Sequence, residues 1–154
     1  MARAELMGKS ASAVHILPGT ESLSAFRVQR LLERLRLEVP GVKSLRVLDF
    51  YLAQVEGPAP SGLRRLLGPG PETFPAAQTT LYVVPRLGTV SPWSSKATDI
   101  ARVCGLSAVN RIEMGRAYLF DFKGEVVEAS HLTKRQARVP AALNLPVCGR
   151  PPHL

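Results

Sequence analysis

Apolar and polar residues alternate along this chain with a period that changes repeatedly, which predicts a succession of strands and helices. The first helical stretch follows Ser22 and Ser24, either of which is a suitable N-cap, and ends before Pro40-Gly41. Its apolar residues keep the helical spacing of three and four, at Val28, Leu31, Leu32, Leu35 and Val39, and Phe26 extends this face by one turn.

Four stretches rich in β-branched and aromatic residues predict strands. The second is apolar on both of its alternating faces, which indicates a central strand, and Gly115 in the fourth indicates a bulge or bend. A turn at Pro18-Gly19 is predicted to follow the first strand. The four stretches are Val14 to Leu17, Val42 to Val55, Thr79 to Pro85, and Val109 to Phe122.

Two further helices are predicted between the later strands. A short one, capped by Ser61, carries its apolar residues at Leu63, Leu66 and Leu67. In the longer one Pro92 lies in the first turn, Ser94 or Ser95 is the predicted cap, and Gly105 ends the helix. Its predicted apolar face is formed by Ala97, Ile100, Ala101 and Cys104.

This order of elements predicts an α+β fold. We expect a ferredoxin-like, four-stranded antiparallel sheet with the two long helices on one face, reached by right-handed crossovers, and a short inserted helix. The predicted domain covers residues 14–135. Residues 1–13 are expected to be flexible, and residues 136–154 form a proline-rich tail that is expected to be disordered or frameshifted.

The composition of the chain limits the kinds of partner and of site that it can have. With 154 residues and 45% hydrophobic content the chain has enough apolar side chains for one domain core. Its net charge of +8 suits either nucleic acid and phosphate or an acidic protein partner. No apolar run is as long as a membrane span or a signal peptide requires, which predicts a cytoplasmic protein. Cys104 and Cys148 have neither metal-ligand nor disulfide-framework spacing.

The chemistry-bearing residues concentrate in the loop that precedes the longer helix, around the only tryptophan. Hydroxyls at a helix N-terminus suit either an anion or simple capping of the free N–H groups, and no glycine-rich phosphate loop is present. The candidates for an interface or an anion site are Arg86, Thr89, Ser91, Trp93, Ser94, Ser95, Lys96 and Asp99. Arg27, Arg30 and Arg34 form a basic stripe that is either a solvated face or a phosphate-binding stripe.

The same loop resembles a known family. The run Pro85-Arg86-x-Gly88-Thr89-x-Ser91-Pro92-Trp93-Ser94-Ser95-Lys96-Ala97-Thr98-Asp99-Ile100-Ala101 is followed by Cys104-Gly105, Val109-Asn110-Arg111 and Glu113. This pattern, with Leu23-Ser24-Ala25-Phe26-Arg27 upstream, is similar to the N-terminal domain of the large, single-chain phosphoribosylformylglycinamidine synthase. That enzyme is the formylglycinamide ribonucleotide amidotransferase of purine biosynthesis, and the similarity covers roughly residues 14–135.

The resemblance implies a structural domain, similar to a dimer of the small S subunit of split forms of the enzyme. Its implied partners are the synthetase and glutaminase domains of the parent enzyme, a ligase and glutamine amidotransferase that uses ATP and Mg. No catalytic, cofactor or metal residue is expected in this chain, and the isolated chain is expected to be inactive. The family continues into a helix with a Leu-His-Asp-Arg-Met type motif, whereas this tail has Pro140, Pro146, Pro151 and Pro152, as in a truncated or frameshifted product.

Other functions stay open on the residues alone. An RNA-binding module of the same topology fits the charge, but the run from Met114 to Asp121 matches only half of the stacking-aromatic pattern of such modules. A small-ligand enzyme is a further class, although His15, His131 and His153 have no evident partner in sequence. Trp93 is either an interface anchor or a core residue.

Overall fold

The computed structural model describes residues 12–86 and 88–127, which form one sheet and three helices. The strands are β1 (Ser12–Glu21), β2 (Val42–Glu56), β3 (Thr79–Val83) and β4 (Val109–Phe122). The helices are α1 (Ala25–Glu38), α2 (Ser61–Leu67) and α3 (Pro92–Val103). The predicted order and type of all seven elements are confirmed.

The strands form a four-stranded antiparallel sheet in the order β1-β2-β4-β3. With its three helices this is the predicted α+β fold, consistent with a ferredoxin-like arrangement. The predicted crossovers are wrong, because α1 and α3 each connect two strands that are direct antiparallel neighbours. β2 and β4 form the centre of the sheet, and their pairing is the longest of the three.

The core lies mainly between the sheet and the two long helices. Leu32 of α1 packs with Val47 of β2, and Ala101 of α3 packs with Ala53 of the same strand. Val47 and Ala53 are an even number of residues apart in a stretch of β2 that has no register shift, so their side chains lie on the same face of the sheet. α1 and α3 therefore cover that same face. On the opposite face, a smaller cluster around Phe50 is covered by Phe74, which lies in residues 68–78, the connector between α2 and β3.

Two predictions near the N-terminal half of the chain are wrong. β1 continues through Pro18 and Gly19, with a register shift before Glu21, and so does not turn there. Ser24 caps α1 as predicted, but Phe26 is 69% exposed under the guanidinium of Arg30 and is not part of the buried face. The buried or partly buried residues of α1 are the others predicted, Val28, Leu31, Leu32 and Leu35, with Val39 just after the helix.

Gly115 marks a close approach and not the predicted bulge. It pairs with Phe50 in regular register, and a Cβ built on it would lie 2.5 Å from Phe50 Cζ and 2.8 Å from the carbonyl oxygen of Val83. Only glycine fits between these groups. The predicted cap of α2 is also wrong, since Pro60 holds the N-cap position without a side-chain hydrogen bond and Ser61 is the first helical residue.

The predicted end segments fall largely outside the described residues. β1 begins at Ser12, and the proline-rich tail 136–154 lies outside 12–127 altogether. Within the described ranges, no helix has the length and apolar character needed to cross a membrane.

Candidate functional site

The N-terminal half of α3 is fixed against β4 by two buried hydroxyls. β3 ends at Val83, opposite Arg116, so no strand pairs with Ile112 on that side of β4. Ser94 Oγ donates to the carbonyl oxygen of Ile112 at 2.6 Å, and the N–H of Ile112 donates to Thr98 Oγ1 at 3.1 Å. These side chains therefore satisfy the backbone groups that a neighbouring strand would otherwise bind.

The start of α3 is joined to β4 through a buried carboxylate. Ser91 is the N-cap: its Oγ accepts from the N–H of Ser94 at 3.0 Å and donates to Glu113 Oε1 at 2.6 Å. The other oxygen of Glu113 accepts from Arg111 Nη2 at 2.6 Å, and this nitrogen also donates to the carbonyl oxygen of Thr89 at 2.7 Å. Loop, helix and strand are thus connected by one chain of charge-assisted hydrogen bonds.

These contacts keep Glu113 ionised although the residue is only 7% exposed. Burial by itself raises the pKa of its carboxyl group. The hydrogen bonds from Ser91 and Arg111, and the positive charge of Arg111, outweigh burial and bring the pKa below the ordinary value of 4.5.

The predicted capping by Ser94 or Ser95 is wrong, because Ser91 is the cap and Pro92 is the first helical residue. The Glu113 carboxylate, bound to the cap hydroxyl, places a negative charge of this chain beside the positive end of the α3 dipole. The hydroxyls of Ser91 and Ser94 already have partners inside the domain. An external anion at this N-terminus stays a prediction.

The outward side of α3 exposes three large apolar residues among polar ones, and we call Trp93, Lys96, Ile100 and Val103 the outer α3 surface. Trp93 is 36% exposed and stacks on Tyr51 of β2, with ring centroids 5.9 Å apart and planes 17° apart. Ile100 is 48% and Val103 88% exposed. The predicted apolar face is therefore partly wrong: the buried residues of the helix are Ser94, Thr98 and Ala101, while Ile100 and Cys104 are exposed.

The side chains of the remaining candidates lie apart from the buried network, although the carbonyl oxygen of Thr89 is part of it. Thr89 Oγ1 donates to the carbonyl oxygen of Arg86 at 2.7 Å within the loop. Ser95 and Lys96 are exposed on the first turns of α3, and Asp99 lies 3.6 Å from the guanidinium of Arg102 in an exposed pair. The predicted candidates thus divide into an inward set, Ser91 and Ser94, and an outward set that includes Trp93 and Lys96.

Four residues that shape this site were not among the predicted candidates: Tyr51, Thr98, Arg111 and Glu113. The spacing of Arg111 and Glu113 is a signal that sequence reasoning could have used, because residues two apart in a strand share a face. Nothing local in sequence links Tyr51 to Trp93, since their contact depends on where α3 packs.

The alternative functions find little support in the described residues. Tyr118 and Phe120, the aromatics of the half-matched RNA-binding pattern, are 5% and 3% exposed in the core cluster with Leu32 of α1. Buried rings have no face free for stacking on a base. Within residues 12–86 and 88–127, no group of three or more His, Cys, Asp or Glu side chains is arranged to hold a metal ion.

The sequence that forms this site matches a known protein family. Residues 50–143 match the family described as formylglycinamide ribonucleotide amidotransferase N-terminal. The matched stretch is more than half of the chain and contains β3, the loop, α3 and β4. The resemblance that the sequence motif predicted is therefore confirmed.

Proposed function

This chain belongs to the formylglycinamide ribonucleotide amidotransferase N-terminal family, and from that premise we propose that it is a structural docking domain of that enzyme of purine biosynthesis. Its proposed partners are the synthetase and glutaminase domains of the parent enzyme. Those domains would bind ATP and Mg and carry out the ligase and amidotransferase chemistry, in the cytoplasm. We further propose that this chain is a fragment of the parent enzyme with no such activity of its own.

The observation that carries the docking proposal is the outer α3 surface. It joins a large aromatic residue, Trp93, to Ile100 and Val103 along one helix. Tryptophan is the residue type most enriched among interface hot spots, and a central aromatic with a polar rim is typical of a recognition surface. Lys96 and the exposed Ser95 supply polar groups at its edge.

Trp93 is also held in place before any partner arrives. Its stacking on Tyr51 fixes one ring face, and Ser94, the next residue, is anchored in the core by its hydrogen bond to Ile112. A side chain that is already ordered loses less conformational entropy on binding than a mobile one. The buried hydroxyl network therefore supports docking indirectly, by positioning the surface residues.

Direct titration tests this proposal. A separately expressed synthetase region would be titrated with this chain by isothermal titration calorimetry. We expect saturable binding with a dissociation constant of about 1 μM or tighter, as for a standard interface centred on aromatic anchors. An absence of heat and of co-migration on size-exclusion chromatography would contradict the docking role.

A further inference from the structure

The face of the sheet opposite α1 and α3 contains a cavity of about 330 Å³. Leu52 and Gln54 of β2 line it, and both alternate with Tyr51 and Ala53, which point to the helix side. The connector with Phe74 packs over the part of this face around Phe50. The cavity lies beside that cluster, between the beginning of β1, the central strands and the loop after β3.

The lining of the cavity combines apolar walls with a few polar groups. Val14, Leu52 and Val84 provide the apolar part, and Gln54, Arg86 and Arg111 are among its polar residues. This composition is typical of small-molecule sites, whose volumes run from about 300 to 1,000 Å³. At the low end of that range, the cavity fits a compact ligand.

Arg111 is the best-positioned polar group in this cavity. Its Nη2 is fixed by Glu113 Oε2 and by the carbonyl oxygen of Thr89, yet its side chain is 40% exposed. Its Nε is buried and has no hydrogen-bond partner among the described residues. The guanidinium is thus oriented by this chain's own groups, and the exposed part of the Arg111 side chain can pair with an anion in the cavity.

The charges of the cavity favour an anion as well. Glu113 is ionised and balances one of the two arginines, Arg86 and Arg111. Arg86 is exposed, and no hydrogen bond or ion pair of its guanidinium is described. One positive charge therefore remains at the mouth of a partly apolar cavity, where it attracts an anion.

We propose that this cavity binds a small organic anion, with a phosphate or carboxylate group on Arg111 and Arg86 and a compact apolar part against Leu52 and Val84. The proposal does not rest on the docking role, because the cavity and the outer α3 surface are on opposite faces of the sheet. Gln54 is placed to bind a polar substituent of the same ligand.

Nuclear magnetic resonance titration of the full chain with three probes tests this site. Phenyl phosphate and benzoate represent the two anion types, and benzamide is the neutral counterpart of benzoate. The readout is the Nε–Hε resonance of Arg111, which reports on the guanidinium that would pair with the anion. We expect saturable shifts with at least one anion below about 10 mM, and none with benzamide.

Substitutions make the assignment specific. Arg86→Gln, an exposed change that removes no described side-chain contact, should weaken binding severalfold, and Arg111→Gln should weaken it about tenfold or more. Arg46→Gln, an exposed arginine paired with Glu21, is the matched control and should leave affinity unchanged. If neither anion binds, or if Arg86→Gln and Arg111→Gln leave binding intact, the proposal is wrong. The tighter of the two anions identifies the ligand class.

Discussion

The hydroxyl of Ser91 donates to the carboxylate of Glu113 at 2.6 Å, and this contact links the cap of α3 to β4, one of the two central strands of the sheet. Glu113 in turn binds Arg111, which reaches back to the carbonyl oxygen of Thr89 in the loop. The position of Trp93 relative to the sheet therefore depends on a buried acid in the next element of the chain.

Replacing this acid should make stability less dependent on pH. Because the pKa of Glu113 is below its ordinary value in the folded protein, its carboxylate contributes stability that is complete above about pH 4.5. That contribution is lost as pH falls through the lower, folded pKa. We expect Glu113→Gln to cost about 1–3 kcal/mol at pH 7, and less as the pH is lowered.

Urea unfolding of the original chain and of Glu113→Gln between pH 7 and 3 measures this difference. Glu72→Gln, at an exposed position in the connector, is the control and should follow the original chain. A constant gap between Glu113→Gln and the original chain across this range would show that the charge of Glu113 is not what stabilises the fold.

The two adjacent serines at the start of α3 should respond differently to truncation. Ser94 is fully buried and donates to Ile112, so Ser94→Ala leaves that carbonyl oxygen unpaired and should cost about 1–3 kcal/mol. Ser95 is exposed on the same turn, and Ser95→Ala should change stability by less than about 0.5 kcal/mol. Thermal unfolding compares the pair directly, and equal losses would contradict the structural role of Ser94.

Gly115 should tolerate no side chain. A methyl group there would meet the ring of Phe50 and the backbone of Val83, so Gly115→Ala should destabilise by about 1–3 kcal/mol or more through overpacking. Gly41 is the matched control, since its nearest neighbour to an added Cβ is the carbonyl oxygen of Lys123 at 3.6 Å. Chemical denaturation of both variants measures the difference, and a neutral Gly115→Ala would mean that Phe50 can move aside.

Local patterns were sufficient to predict the elements of this fold, because helical and strand periods and proline-glycine breaks are local properties. Val109 to Phe122 was bounded correctly for this reason. Strand order was not predictable in this way, since α1 could connect either neighbouring or separated strands until the pairing of β2 with β4 was known.

The site was predictable only in part, because its key contacts are between residues distant in sequence. The buried face of α3 carries Ser94 and Thr98 and not the predicted Ile100 and Cys104. The two hydroxyls are buried because they form hydrogen bonds with backbone groups of β4 that have no partner in a neighbouring strand. Hydrophobicity alone assigns serine and threonine to the solvent side. The role of Glu113 likewise depends on where the cap of α3 lies relative to β4.

The isolated chain should not catalyse amidine formation. Its one cysteine in the described residues, Cys104, is the exposed C-cap of α3, and no acid or histidine is described beside it as a nucleophile's partner would be. An assay of purified protein with formylglycinamide ribonucleotide, ATP and Mg, run with glutamine and separately with ammonia, checks this expectation. Turnover above the background rate would contradict it.

The association assay with the synthetase region, repeated with Trp93→Ala, tests the docking account most directly. Since Trp93 is only partly buried and its main described contact is with Tyr51, truncation should cost this chain about 0.5–1.5 kcal/mol of stability. Loss of an aromatic anchor should weaken association about 30-fold or more. Phe26→Ala, which removes an exposed aromatic from α1, is the matched control and should bind normally. If Trp93→Ala binds as tightly as the original chain, the outer α3 surface is not the docking site.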